Sequence, residues 1–290
     1  MLANNLESIH RRIAGACERT RRLPSQIILI GVTKGVPIEA IRQALALGLT
    51  DLGENRVQEA RSRREALGMW NVRCGMRSSV HPESPRPAGD DRRGGRIPPA
   101  RRLREPGRAN SELPSSLSPV KWHMIGHLQR NKAKDAVALF DVIHSVETRA
   151  LAEEIERQAM KQGKSLEVLV QVNVSGQATK FGCAPNEAVA LARAVRELPH
   201  VRLRGFMTIA PFADDPERSR PHFRRLRALR DEAATALGVA PASLGLSMGM
   251  SQDFEVAIEE GADHVRIGTA LFGARNHEGQ GAGDVGRGKT

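Results

Sequence analysis

The chain reads as an α/β protein, a single (β/α)8 TIM-like barrel with an extra N-terminal helix, and three observations lead there. Strand-like runs alternate with amphipathic helical runs along most of the 290 residues. Strands separated by helices pair in parallel through crossovers. Eight strand runs can be counted, the number that closes a barrel of about 250 residues. The first of them is followed by "VTKGVP", not by the G-x-G-x-x-G turn that an open dinucleotide-binding sheet requires.

The N-terminal helix comes first because Leu6, Ile9, Ile13 and Ala16 recur at helical spacing. The segment carries an acid and lacks the apolar core of a signal peptide. The first strand is expected over 27–33, since four of the five residues from Ile28 to Val32 are branched and apolar. The others are expected over 50–54, 121–125, 141–145, 166–174, 201–208, 244–248 and 264–268. Amphipathic helices fall between them, over 38–47, 148–162, 185–198, 216–237 and 252–260.

One spacing is irregular: 71 residues separate the starts of the second and third strands. Within that gap, eight of the chain's sixteen prolines lie between Pro82 and Pro119, and neither period 2 nor period 3.6 is present. Such a stretch buries too little apolar surface to offset its ordering entropy, so residues 67–119 are expected to be disordered. The domain then runs over 1–275, interrupted by 67–119, with a flexible tail over 276–290.

Composition narrows the function. No run approaches the roughly 18 apolar residues of a membrane helix. Cys17, Cys74 and Cys183 are odd in number and never in C-x-x-C, which argues against a disulfide frame or zinc site and for a cytoplasmic protein. The net charge of +11 invites a nucleic-acid reading. Yet 67–119 alone holds ten Arg and five acids, the remaining excess is spread along helices, and aromatics make up only 3%. Solvated helix faces explain the charge better than a binding groove.

In a barrel of this kind, function collects at the C-terminal strand ends. The loops after strands seven and eight commonly hold a phosphate, and here they read "SMGMS" and "RIGTA". Ser247 and Thr269 offer hydroxyls, Gly249 and Gly268 permit close backbone approach, and helices start beside them. Taken singly, each piece is equally an N-cap with a turn glycine. Lys34 ends strand one. It either snorkels from the rim or sits desolvated, where its neutral amine attacks a carbonyl. An amine opposite a phosphate cradle suits pyridoxal 5′-phosphate (PLP), which has an aldehyde at one end and a phosphate at the other.

Arg266 shares a strand face with Gly268. Its acceptor is either the PLP ring nitrogen or a carboxylate such as Glu54. Asn55 and Asn173 hydrogen-bond a ligand or tie down loops. His123 and His127 are four apart, but strand geometry makes that spacing uninformative, and no metal is expected.

The motifs "GVTKGVP", "DLGENRVQEA", "KWHMIGHLQRNK", "GFMTIAPF" and "LSMGMSQDFEVAIEEGADHVRIGTALFG" resemble the pyridoxal phosphate homeostasis protein family. Its members are PLP-binding barrels related to the alanine racemase N-terminal domain. The resemblance covers about 6–275 except 67–119. It implies Lys34 as the Schiff-base lysine and Ser247, Gly249, Gly268 and Thr269 in the phosphate cradle. It further implies Arg266 facing the pyridine nitrogen, and Asn55, His123 and Met207 near the cofactor. The chain departs from the family in carrying Thr33 where members often have Ser, in lacking a second lysine after Gly35, and in the 67–119 segment. The resemblance implies a buffer and carrier of PLP; PLP-dependent apo-enzymes are the expected partners, a monomer is expected rather than an oligomer, and composition points to neither membrane nor nucleic acid. The alternative is a PLP-dependent amino-acid racemase. Racemisation needs a base on each face of the substrate, and this chain has no tyrosine to serve the second.

Overall fold

The expected strands form in the expected order, and each pairs with its sequence neighbours until the last closes on the first. This computed structural model describes residues 1–68 and 120–274. Its strands are β1 (Ile28–Val32), β2 (Asp51–Glu54), β3 (Lys121–Met124), β4 (Val142–Val146), β5 (Leu166–Gln171), β6 (Val201–Met207), β7 (Gly245–Met250) and β8 (His264–Ile267). All pairings are parallel. The helices are α1 (Leu2–Arg19), α2 (Ile38–Ala46), α3 (Val57–Ala66), α4 (Ala133–Leu139), α5 (Arg149–Lys161), α6 (Ala188–Arg196), α7 (Arg220–Leu237), α8 (Phe254–Glu259) and α9 (Thr269–Phe272). The chain is a (β/α)8 barrel.

The differences from expectation are local. The helices expected over 185–198 and 216–237 open with 3-10 turns at Pro185–Glu187 and Pro216–Ser219, where proline has no N–H to contribute. Helices α3 and α4 were not foreseen. The buried face of α3 consists of Val57, Ala60 and Arg64, and the Arg64 guanidinium lies 5.5 Å from the Trp122 ring centre. A charged residue in the apolar stripe hides the helical period. The irregular segment expected over 67–119 lies, from residue 69 onward, outside the described residues, as does the tail expected over 276–290.

The main core lies between barrel and helices. Helix α1 buries Leu6, Ile9, Ile13, Ala16 and Cys17 and packs on α8 and α9, bracing the two helices that follow β7 and β8. Inside the barrel, Val142, Leu169 and Met207 make a small apolar cluster. The rest of that interior is unusually polar: Asp51, His123, His144, Ser247 and Arg266 meet there.

Strand β7 carries an irregularity that shapes the site. Ser247 pairs with His264 and Met250 with Arg266, so β7 spends one more residue than β8 over that interval, as in a bulge. Gly249 takes φ +89° there, and a Cβ on it would stand 2.5 Å from the Ala257 Cβ and 2.9 Å from the Phe254 Cα. Only glycine lets α8 approach this turn.

Candidate functional site

At the C-terminal end of β1 the chain turns sharply. The Val36 N–H donates to the Thr33 carbonyl at 3.0 Å, and Gly35 supplies the positive φ of 71° that the turn requires. Lys34 sits in this turn, half-buried. Its amine has no hydrogen bond or ion pair with any described residue. Its neighbour Thr33 points the other way and donates its hydroxyl to the Glu54 carboxylate. Arg63 of α3 reaches the other Glu54 oxygen at 2.9 Å. Burial nevertheless pushes the Glu54 carboxyl up to about 7, against the pull of Arg63 and Thr33.

Beside this turn a cavity of about 320 Å³ opens, lined by Val32, Phe212, Ser251, Arg266, Gly268 and Thr269 among others. Its β7–β8 wall is rich in hydrogen-bond donors. The Ser251 hydroxyl accepts the backbone N–H groups of Gly268 and Ala270, each at 3.3 Å. Asp253 holds the preceding loop through the Met250 N–H at 2.7 Å and the Ser219 hydroxyl at 2.8 Å. A Cβ added at Gly268 would meet nothing nearer than 3.5 Å. Protein packing therefore does not demand glycine there, and its bareness leaves room on the cavity side. Phe212, 73% exposed, stands at the rim.

Arg266 is buried beneath this wall. It donates to Ser247 Oγ and to the Thr208 carbonyl, both at 2.7 Å. Both acceptors are neutral, and burial draws the guanidinium down to about 10, with Asp253 opposing from a distance. Guanidinium has five N–H donors, and these two bonds engage two of them. Beneath it, Ser247 meets His144 Nδ1, His144 Nε2 meets His123 Nδ1, and His123 Nε2 meets Asp51 Oδ1, each at 2.9 Å. Burial, then the nearby His123, His264 and Arg266, keep His144 well below the ordinary imidazole range.

Of the expected site residues, Arg266, Gly268 and Thr269 line the cavity, and Lys34, two residues beyond the lining residue Val32, is not itself in the lining. Ser247 does not form part of the lining. It faces the barrel interior one layer down, and the hydroxyl on the cradle N–H groups belongs to Ser251 instead. The bulge is the reason, because it carries the chain around a corner between the two serines. Gly249 serves the approach of α8. His123 and Met207 are buried in the interior, and Asn55 is half-buried at the end of β2. Arg266 forms no pair with Glu54, which faces α3. Asn173 ties its own loop, donating to the carbonyls of Gln177 and Lys180. The helices after β7 and β8 have six and four residues, too short for a substantial macrodipole. The anion-binding capacity is that of individual N–H groups. In the sequence Ser251 marks only the expected start of a helix, with the hydroxyl role given to Ser247, and His144 is not singled out. A second hydroxyl in "SMGMS" and a histidine within the apolar run "DVIHSV" were the available signals.

A wider groove of about 670 Å³ lies at the N-terminal strand ends, lined by Arg196, His200, Arg202 and Arg204 among others. It is far from Lys34, and conserved chemistry in barrels sits at the opposite face. No helix among the described residues is long and apolar enough to cross a membrane, and none of their acidic, His or Cys groups is arranged to hold a metal.

Residues 5–276 match the family described as alanine racemase, N-terminal domain. The pyridoxal phosphate homeostasis protein of Aquifex aeolicus is 39% identical over 272 residues, covering 94% of this chain and 97% of the relative. That of Pseudomonas aeruginosa is 35% identical over 276 residues, covering 95% and 96%. The solved structure of PipY from Synechococcus elongatus with PLP bound is 30% identical with a TM-score of 0.67, covering 94% of this chain and all of PipY. With the barrel, the mouth and these relatives in agreement over nearly its whole length, the chain belongs to the pyridoxal phosphate homeostasis protein family.

Proposed function

We propose that this protein binds PLP at the C-terminal mouth of the barrel, with Lys34 as its covalent anchor, and acts in PLP homeostasis by buffering and delivery without robust catalysis. One observation carries the reading. The half-buried Lys34 amine, without a partner among the described residues, lies two residues past Val32, which lines a cavity shared with the Ser251-bound Gly268 N–H and with Arg266, a buried arginine held by neutral acceptors. When bound, PLP supplies an aldehyde electrophile, an electron-withdrawing ring and a phosphate. Lys34 meets the aldehyde carbon. Gly268, Ala270, Ser251 and Thr269 meet the phosphate, and Arg266 donates to the ring nitrogen. Because arginine keeps its proton, it leaves that nitrogen unprotonated and the ring a weak electron sink, which suits holding rather than turnover. Delivery to PLP-dependent apo-enzymes by a monomer in the cytoplasm completes the proposal.

The test is the near-visible spectrum of the protein mixed with PLP, beside Lys34→Ala, each followed by borohydride and intact mass. A band and a fixed mass increment in the wild type alone are expected. An equal increment in Lys34→Ala moves the anchor elsewhere, and no band in either protein overturns the reading.

A further inference from the structure

We infer that Asp51, His123, His144 and Ser247 form a one-directional hydrogen-bond relay that positions Arg266 for the ring nitrogen of PLP, an inference that rests on the PLP reading above. The relay crosses the barrel. It starts on β2, passes through β3 and β4, and jumps the interior to β7 and β8 by four contacts of 2.7–2.9 Å.

Its direction follows from its ends. Arginine only donates, and an ionised carboxylate only accepts. Although burial opposes its charge, hydrogen bonds from His123 and Thr50 hold the Asp51 carboxyl below its ordinary value. His123 Nε2 must therefore carry a proton for Asp51. With His123 neutral, its Nδ1 accepts, and the single N–H of neutral His144 lies on Nε2. His144 Nδ1 then accepts from the Ser247 hydroxyl, whose oxygen accepts from Arg266. Along these four contacts each donor meets one acceptor. A second proton on His123 would force His144 to turn its N–H toward Ser247, whose oxygen would then face two donors while its own proton lost its acceptor.

The chemistry at the Arg266 end explains why such a chain is present. A buried cation is costly unless it is paired, and among the described residues the acceptors bonded to this one are neutral. Aligned hydrogen bonds polarise one another. Here they point the negative end of each dipole toward Arg266 and end on the carboxylate of Asp51. They also fix the Ser247 oxygen, which with the Thr208 carbonyl holds the guanidinium by two points, so the plane of the remaining N–H fork is set. The groups that face the relay are Lys121 and Thr50 beside Asp51, and His264, whose ring centre lies 6.4 Å from His123 and 5.6 Å from His144. Arg204 and Arg266 act on His264, which burial above all lowers to about 3. None of these groups supplies a competing acceptor to Arg266.

The test has two arms. In the PLP-free protein, nitrogen-15 NMR of labelled histidines is expected to show His123 and His144 both protonated on Nε2 alone. A proton on His144 Nδ1 would overturn the relay. In the second arm, PLP affinity and the pH profile of the bound spectrum are compared among wild type, Asp51→Asn and His144→Gln, with thermal unfolding measured on each. We expect both variants to stay folded, to keep the borohydride-fixed increment at Lys34, to bind PLP about tenfold more weakly, and to shift the pH profile. Asp51→Glu should restore part of the affinity. Folded variants with wild-type affinity and profile would reduce the chain to core packing. A wild type that takes up no PLP instead overturns the functional reading, and the positioning role with it, while the tautomers report on the relay separately.

Discussion

The two sides of the barrel mouth are built on opposite principles. On the β7–β8 side the polar groups are committed to other protein atoms: Arg266 to Ser247 and Thr208, Ser251 to two backbone N–H groups, Asp253 to Met250 and Ser219. On the β1–β2 side the Lys34 amine has no partner among the described residues, and burial raises the Glu54 carboxyl, held by Thr33 and Arg63, to about 7. Under the proposed function, the difference separates recognition from reaction. Donors that recognise a phosphate and a ring nitrogen gain from being held in advance. An amine that must lose a proton and form a bond would be hindered by a fixed carboxylate, which would stabilise its charged form.

Lys34→Ala breaks the comparison most completely. It is expected to abolish the fixed mass increment while leaving a weak, reversible PLP complex on the intact β7–β8 wall. Persistence of saturable, salt-sensitive PLP binding in this variant, by fluorescence or calorimetry, separates the two sides. Its complete loss would show that recognition also depends on the lysine. Gly249→Ala attacks the other side through its scaffold. The added Cβ meets Ala257 at 2.5 Å at a φ of +89°, so we expect a loss of about 3–5 kcal/mol in denaturant unfolding. A loss under about 1 kcal/mol would mean that α8 yields easily, and that the wall is less preorganised than its bonds suggest.

The barrel was legible because parallel strands buried on both faces read as short apolar runs at regular intervals. The proposed anchor stood out in the sequence too, because Lys34 follows such a run at its C-terminal end. The division of labour between Ser247 and Ser251 was not. Both serines lie in "SMGMS", and only the extra residue of the β7 bulge decides which faces Arg266 and which the cradle. The polar interior escaped for a related reason. His123 and His144 lie on neighbouring strands at inward positions, but an isolated histidine in an apolar run carries no partner in its own sequence. Helix α3 was missed because Arg64 occupies its buried stripe.

A pH experiment sharpens the β1–β2 half. Folding raises the Glu54 carboxyl to about 7 from its ordinary 4.5. The folded state thus binds this proton more tightly than the unfolded chain. The stabilisation it brings is fully present below the unfolded value and is lost as pH rises through about 7. The wild type should lose about 3 kcal/mol relative to Glu54→Gln between the two ends of that window. Parallel unfolding curves for the two proteins from acid to neutral pH would mean that the Arg63 pair keeps Glu54 ionised throughout, and that the turn at Lys34 is as firmly held as the opposite wall.

The smallest expected effect tests the cradle at a single atom. Ser251 holds the Gly268 and Ala270 N–H groups through its hydroxyl, and a phosphate would share or take over those donors. Ser251→Ala removes one hydroxyl and leaves both N–H groups in place, so PLP binding should weaken by about 1 kcal/mol, roughly fivefold. Pyridoxal, which has the aldehyde and ring nitrogen but no phosphate, should bind the variant as it binds the wild type. That contrast isolates the phosphate end from the anchor and from Arg266. Equal weakening for both ligands would place the Ser251 contribution in loop order, because a disordered cradle would disturb the shared ring as much as the phosphate.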